Sequence, residues 1–174
     1  GDELISVRKT TGNDEVVIGA SNGRMVRFKE SEIRSMGRGT SGVKGIDLSD
    51  NSIVVSTEII NPGEEILIVT ENGYGKKTTI DEYRLTHRAS KGVKALNITA
   101  KNGSMVTLKY VDPLNVEKLD IMIVTDSGII MRMPLNQIAT LKRATQGNRL
   151  INLKENQKVA TIAIVEKEEK IEIE

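Results

Sequence analysis

The chain has 174 residues and is 38% hydrophobic, enough for a core, but only 2% aromatic, so that core must come from Val, Ile, Leu and Met. It has no Cys, which excludes a disulfide scaffold and a thiolate metal site. The net charge of +1 hides an asymmetry: the last nine residues carry five Glu and two Lys, and without them 23 basic residues face 19 acidic ones. Apolar runs are about five residues long, far short of the ~20 of a membrane helix. The chain opens on Gly1-Asp2-Glu3 with no apolar stretch behind it, so neither a membrane span nor a secretory leader is expected.

The first unit begins with a strand predicted over 4–9, turns at Thr11-Gly12-Asn13-Asp14 and enters an apolar strand, Val16-Val17-Ile18-Gly19-Ala20. Ser21-Asn22-Gly23 ends that strand in a hairpin signal, because Asn and Gly tolerate the positive φ of a tight turn. A returning strand over 24–29 leads to a polar turn anchored by Ile33, the loop Arg38-Gly39-Thr40-Ser41-Gly42 and a closing strand, Ile46-Asp47-Leu48. The second unit repeats the order. A lead-in strand over 53–59 precedes Asn61-Pro62-Gly63, Ile66-Leu67-Ile68-Val69-Thr70, the Asn72-Gly73 turn and a return over 74–79. The anchor Tyr83, the loop Arg88-Ala89-Ser90-Lys91-Gly92 and Leu96-Asn97-Ile98 complete it. The third unit runs through 105–110, Asp112-Pro113, Ile121-Met122-Ile123-Val124-Thr125, Ser127-Gly128 and 129–133. It ends with Ile138, Arg143-Ala144-Thr145-Gln146-Gly147 and Ile151-Asn152-Leu153, and a strand over 159–165 is placed to complete the last sheet.

The hairpin glycines set a period of 50 and then 55 residues, the extra five falling around Val111-Asp112-Pro113-Leu114-Asn115. Helical periodicity is weak, and four strands in each unit of roughly 50 residues is blade-like. The expected fold is all-β, a propeller-like array of three four-stranded blades. Residues 1–165 are expected to form one domain of three repeats, about 2–52, 53–103 and 104–165, with 166–174 as an acidic tail.

Three offsets from the hairpin glycine are basic in every unit. Four residues on are Arg27, Lys77 and Arg132; fifteen on, Arg38, Arg88 and Arg143; twenty-one on, Lys44, Lys94 and Arg149. Folding does not demand a cation at a fixed place in each blade, and equivalent offsets lie on equivalent surfaces. A stripe of cations running from blade to blade suits a polyanion of regular charge, such as duplex DNA. Arg34, Lys76, Arg84 and Lys91 lie at offsets that are not basic in every unit and widen the stripe. The loops between Arg and Gly leave main-chain N–H groups open to phosphate. With three Tyr and one Phe there is no platform for stacked single-stranded bases.

Catalytic patterns are missing. His87 is the only histidine, so no His-based triad or multi-His metal site forms, and no Gly-x-x-x-x-Gly-Lys phosphate loop occurs. Neither a metal nor another cofactor is expected in this chain. A protein-interaction propeller is the alternative, although Trp is absent.

Ile68-Val69-Thr70-Glu71-Asn72-Gly73-Tyr74-Gly75-Lys76-Lys77-Thr78 followed by Glu82-Tyr83-Arg84 resembles the C-terminal domain of the DNA gyrase A subunit. Asp2-Glu3-Leu4-Ile5-Ser6-Val7 and Gly37-Arg38-Gly39-Thr40-Ser41-Gly42-Val43-Lys44-Gly45-Ile46 are similar to an adjacent blade of that domain. Thr145-Gln146-Gly147-Asn148-Arg149-Leu150-Ile151 with Val159-Ala160-Thr161-Ile162-Ala163 resembles its final blade. The topoisomerase IV C subunit is the close rival. The resemblance implies a β-pinwheel whose blades exchange strands, of which this chain is the last three blades, about half of a six-bladed disc. It implies double-stranded DNA wrapped on the disc's basic rim for strand passage and negative supercoiling, with the cutting tyrosine, ATP and Mg2+ acting elsewhere in the enzyme. The implied partners are the gyrase B subunit, together with the remaining blades and catalytic domain of the gyrase A protein, in a bacterial, cytoplasmic, nucleoid-associated setting. A homodimer of two such halves is a further expectation, because open blades leave sheet edges unpaired. The family's Gln-Arg-Arg-Gly-Gly-Lys-Gly box is absent; the nearest string, His87-Arg88-Ala89-Ser90-Lys91-Gly92, keeps one Arg, the Lys and the last Gly.

Overall fold

A computed structural model of the chain describes residues 3–48 and 51–168. Residues 169–174, most of the expected acidic tail, lie outside the described residues. The strands are β1 (Glu15–Ala20), β2 (Arg24–Lys29), β3 (Val54–Ile60), β4 (Glu65–Thr70), β5 (Tyr74–Thr79) and β6 (Val93–Lys94). They continue as β7 (Met105–Val111), β8 (Leu119–Thr125), β9 (Ile130–Pro134), β10 (Asn148–Arg149) and β11 (Val159–Glu166). A short 3-10 turn follows each returning strand.

Three hairpins, β1–β2, β4–β5 and β8–β9, seed three antiparallel sheets. The turn closes the same way in each: the amides of Gly23, Gly73 and Gly128 donate to Ala20, Thr70 and Thr125 at 3.0 Å. Their φ values of 77, 79 and 82° are those a Cβ disfavours. The outer strands of a sheet come from the following unit. The orders are β3-β1-β2-β6, β10-β5-β4-β7 and β11-β8-β9. A lead-in strand thus pairs with the hairpin before it, and a short fourth strand crosses back to the same hairpin's other edge.

The structure changes three expectations. Residues 4–9 form no strand; Arg8 instead bonds Glu58 at 3.0 Å. The third sheet has three strands among the described residues, with β11 paired to β8 as the sequence indicated. The closing strands expected at 46–48, 96–98 and 151–153 do not form: Ile46 makes only an isolated bridge to Ser90, and the short fourth strands are β6 and β10, just before the other two segments.

The core sits between the sheets. Every residue of β4 is buried, and its side chains alternate. Ile66 and Ile68 join Val17, Met25 and Ile60 of the first sheet, while Leu67 and Val69 join Ile121, Ile123 and Ile162 of the third. A continuous apolar run is what a strand covered on both faces requires. Tyr83 and Ile138 anchor these two interfaces at 1% exposure, whereas Ile33 is 38% exposed.

Candidate nucleic-acid interface

The cations four residues beyond the hairpin glycine lie on the returning strands, and each meets an acid eight residues before that glycine. Arg27 pairs with Glu15, Lys77 with Glu65 at 3.4 Å, and Arg132 with Asp120 at 2.7 Å. Arg27 and Lys77 are 8% and 6% exposed. Further bonds satisfy these pairs, as burial of charge demands. Arg27 Nη1 donates to the carbonyls of Ile80 and Tyr83 at 3.0 and 2.9 Å, and the Thr140 hydroxyl donates to Glu65 at 2.8 Å. The backbone adds to the tie: Thr86 N–H donates to Arg27 O and Leu141 N–H to Lys77 O. These cations fasten one sheet to the next unit. Arg132 is more open and reaches Glu168 at 2.7 Å. Lys76 is fully buried. Arg27, Lys76 and Lys77 therefore turn inward, a departure from the expectation of one exposed stripe.

The other two recurring offsets meet across the strand exchange. Arg88 Nη1 donates to Lys44 O at 3.1 Å, and Arg143 Nη1 donates to Lys94 O at 2.9 Å. The arginine fifteen residues past one glycine thus lies on the basic residue twenty-one past the glycine before. Main-chain bonds repeat alongside: Asp47 N–H to Ser90 O and Asn97 N–H to Thr145 O, both 2.9 Å. Glycine makes this approach possible. A Cβ on Gly92 would stand 2.3 Å from Met25 O, and one on Gly147 2.8 Å from Gly75 O. Arg38, Lys44, Arg84, Lys91 and Lys94 are exposed; Arg88 and Arg143 are half-buried. Arg84, His87 and Lys91 line an open groove of about 740 Å³. Arg149 is exposed on β10 and donates to the Tyr74 hydroxyl at 2.9 and 3.1 Å, with Lys101 5.6 Å from the ring centre.

Two acids that orient the loops escaped the sequence reading. Glu32 accepts from Arg88 N–H at 3.1 Å and pairs with His87 at 3.2 Å, and its main-chain carbonyl takes Arg88 Nε at 3.2 Å. Glu82 pairs with Lys142 at 2.7 Å. That hydrogen bond holds the Glu82 carboxyl below the usual carboxylate range and the Lys142 ammonium above its own. Both acids stand nine residues past a hairpin glycine, a recurrence visible in the sequence, but Gln137 breaks it in the third unit. Among the described residues no group of His, Asp or Glu is placed to hold a metal ion, and no helix is long and apolar enough to cross a membrane.

Residues 14–61, 64–112 and 119–166 each match the family model described as DNA gyrase C-terminal domain, beta-propeller. Each match starts at a hairpin and ends with the strand that the next unit lends it. The chain is 43% identical over 170 residues to the DNA gyrase A protein of Staphylococcus epidermidis, covering 97% of this chain and 19% of that protein. The figures for its Staphylococcus aureus counterpart are 43% over 169 residues, 96% and 19%. The chain therefore spans about a fifth of the length of the curated relatives it matches. Among solved structures it resembles the C-terminal domain of DNA topoisomerase IV, with a TM-score of 0.80 and 26% identity over 89% of this chain and 47% of that one. A DNA gyrase A C-terminal domain shares the fold at a TM-score of 0.79 and 23% identity, over 88% and 51%. Three family matches, one to each sheet and in chain order, lead to one conclusion: the chain belongs to the DNA gyrase C-terminal domain, β-propeller, family.

Proposed function

We propose that this chain binds duplex DNA without sequence preference, along the edge where neighbouring units exchange strands, and bends it there for strand passage and negative supercoiling by a type II topoisomerase. The observation that carries the reading is the repeated seating of Arg88 on Lys44 and of Arg143 on Lys94. It sets a cation of the second unit on one of the first, and a cation of the third on one of the second. Arg38, Lys44, Arg84, Arg88, Lys91, Lys94, Arg143 and Arg149 are the residues we assign to that edge, and Lys142 joins them. The relatives are gyrase A proteins, so the proposed partners are the remaining blades and catalytic domain of such a protein, and the gyrase B subunit. The cutting chemistry is assigned to that catalytic domain.

Bending a short duplex costs roughly 1–6 kcal/mol, which phosphate contacts must offset. The signature is a fall of log K with log salt at a slope of about −0.9 per phosphate neutralised. Titrating a random-sequence duplex by fluorescence anisotropy at several salt concentrations measures it. Replacing the exposed Lys91 and Lys94 with Gln should flatten the slope by roughly 0.9 for each phosphate lost. Unchanged affinity and slope in that double variant remove the edge assignment, and salt-insensitive binding to protein alone favours an interaction propeller. Wrapping itself is read by ligating nicked minicircles with the chain bound: a shifted linking number supports it, and an unshifted one limits the function to binding.

A further inference from the structure

We propose that Lys76 is a positioning residue of this edge: its ammonium, sealed beneath residues 142–145, fixes where Arg143 is presented to a DNA phosphate. The inference rests on the edge reading above.

Lys76 lies in the middle of β5 and is fully buried, so it touches no phosphate itself. Its Nζ donates to Arg143 O at 2.6 Å, Lys142 O at 2.9 Å, Thr145 Oγ1 at 3.2 Å and Thr145 O at 3.4 Å. All four acceptors belong to one turn of the loop. Thr145 Oγ1 in turn donates to Lys142 O at 2.9 Å, closing the cage. An ammonium has three protons, enough to hold several carbonyls at once, and charge assistance strengthens each bond. Main-chain oxygens drawn inward to Lys76 are oxygens not presented to a phosphate.

The blade itself does not need this charge. The equivalent positions in the other units are Val26 and Met131. An acid takes the arginine N–H in both loops, Glu32 at Arg88 and Glu82 at Arg143, but at 88–92 the further bond comes from Arg24 Nη1 to Gly92 O at 3.0 Å, with Val26 at the equivalent of Lys76. The lysine is therefore particular to the loop that carries Arg143.

The electrostatics agree. Burial pushes the Lys76 ammonium down to about 8, the Arg143 charge pushes the same way, and Glu82 opposes both. Glu82 is itself paired with Lys142, and the facing residue on β4 is the apolar Ile68. A phosphate on Arg143 offsets the repulsion that Arg143 exerts on Lys76. DNA binding then raises the proton affinity of Lys76, so association takes up protons when the pH is above that of half-titration.

The test compares the wild-type chain with Lys76→Met, which borrows the residue of the third unit, and with Arg143→Gln. Duplex affinity, hydrogen exchange of the amides at 142–147 and proton uptake at pH 8.5 (calorimetry in buffers of different ionisation enthalpy) are measured. Lys76→Met should lose roughly tenfold in affinity. Its loop amides should exchange faster while those of β4 do not change, and its proton uptake should vanish. Wild-type affinity and loop exchange in Lys76→Met, beside weakened binding in Arg143→Gln, overturn the positioning role and leave the edge reading standing. Unchanged affinity in Arg143→Gln overturns the edge reading, and this inference with it. Should Lys76→Met not fold, exchange in the wild type decides: amides at 142–147 that exchange as fast as those of the exposed loop 37–42 overturn the proposal.

Discussion

At the scale of single residues, the cations fall into two groups separated by what lies opposite them. Arg27 and Lys77 face acids on the paired strand of their own sheet and are covered by the next unit. Removing the acid leaves a buried charge without a counter-ion, which typically costs about 3–5 kcal/mol. Glu15→Ala should therefore lower the unfolding free energy read from urea titration by an amount in that range, while duplex affinity at low temperature stays near wild type. Lys76 gives a pH dependence of its own. Its folded value of about 8 lies below the ordinary 10.5, so between these the unfolded chain binds more protons and stability rises with pH. Denaturant melts at pH 8 and pH 9.5 should show this rise in the wild type and lose it in Lys76→Met. Tyr110, pushed up to about 12 by burial and by Glu64, stays protonated across that window.

The hairpin is the element that recurs with least variation, and its glycine serves two ends. It supplies the positive φ of the turn, and at Gly23 and Gly73 its carbonyl receives the returning chain of the next unit. Ala95 and Leu96 N–H donate to Gly23 O, and Leu150 and Ile151 N–H donate to Gly73 O. A Cβ on Gly73 would stand 2.6 Å from Ile151 Cγ2, while one on Gly128 meets nothing within 4 Å. Gly128→Ala should thus cost only the backbone term of about 1–2 kcal/mol. Gly73→Ala should cost that and a further 1–3 kcal/mol or so of overpacking. Thermal melts of the two variants should rank accordingly, and equal losses would show that the donated strand gives way at no cost.

For the whole molecule, the middle sheet is the structural centre because the apolar clusters it shares with both neighbouring sheets cover its two faces. Amides of β4 should be the slowest to exchange, and those of β9 among the fastest of the strand amides. β9 carries the exposed Ile130 and has no fourth strand beyond it among the described residues. The same stacking lays the loops of the second and third units on the closing segment of the unit before, Arg88 on Lys44 and Arg143 on Lys94.

Much of this was legible along the chain because it answers to local demands. A turn with positive φ calls for glycine, and a strand covered on both faces calls for an unbroken apolar run, so the hairpins, the returning strands and the period follow from Gly23, Gly73, Gly128 and the runs before them. Residue order does not say which hairpin a strand will join. Residues 53–59 and 105–110 read as the start of their own units, yet the ladders they form belong to the units before, since pairing is decided by which exposed edge is near in space. Nor does a repeated cation reveal its surroundings. Arg27 and Arg88 are equally periodic, but only folding brings Glu15 beside the first, and only strand exchange lays the second on Lys44. The sequence by itself determined the hairpin strands, the lead-in strands of the second and third units, the turns and a surplus of recurring positive charge. The tertiary structure decided which of those charges are neutralised within and which stay exposed, because ion pairing depends on distances that residue order does not encode.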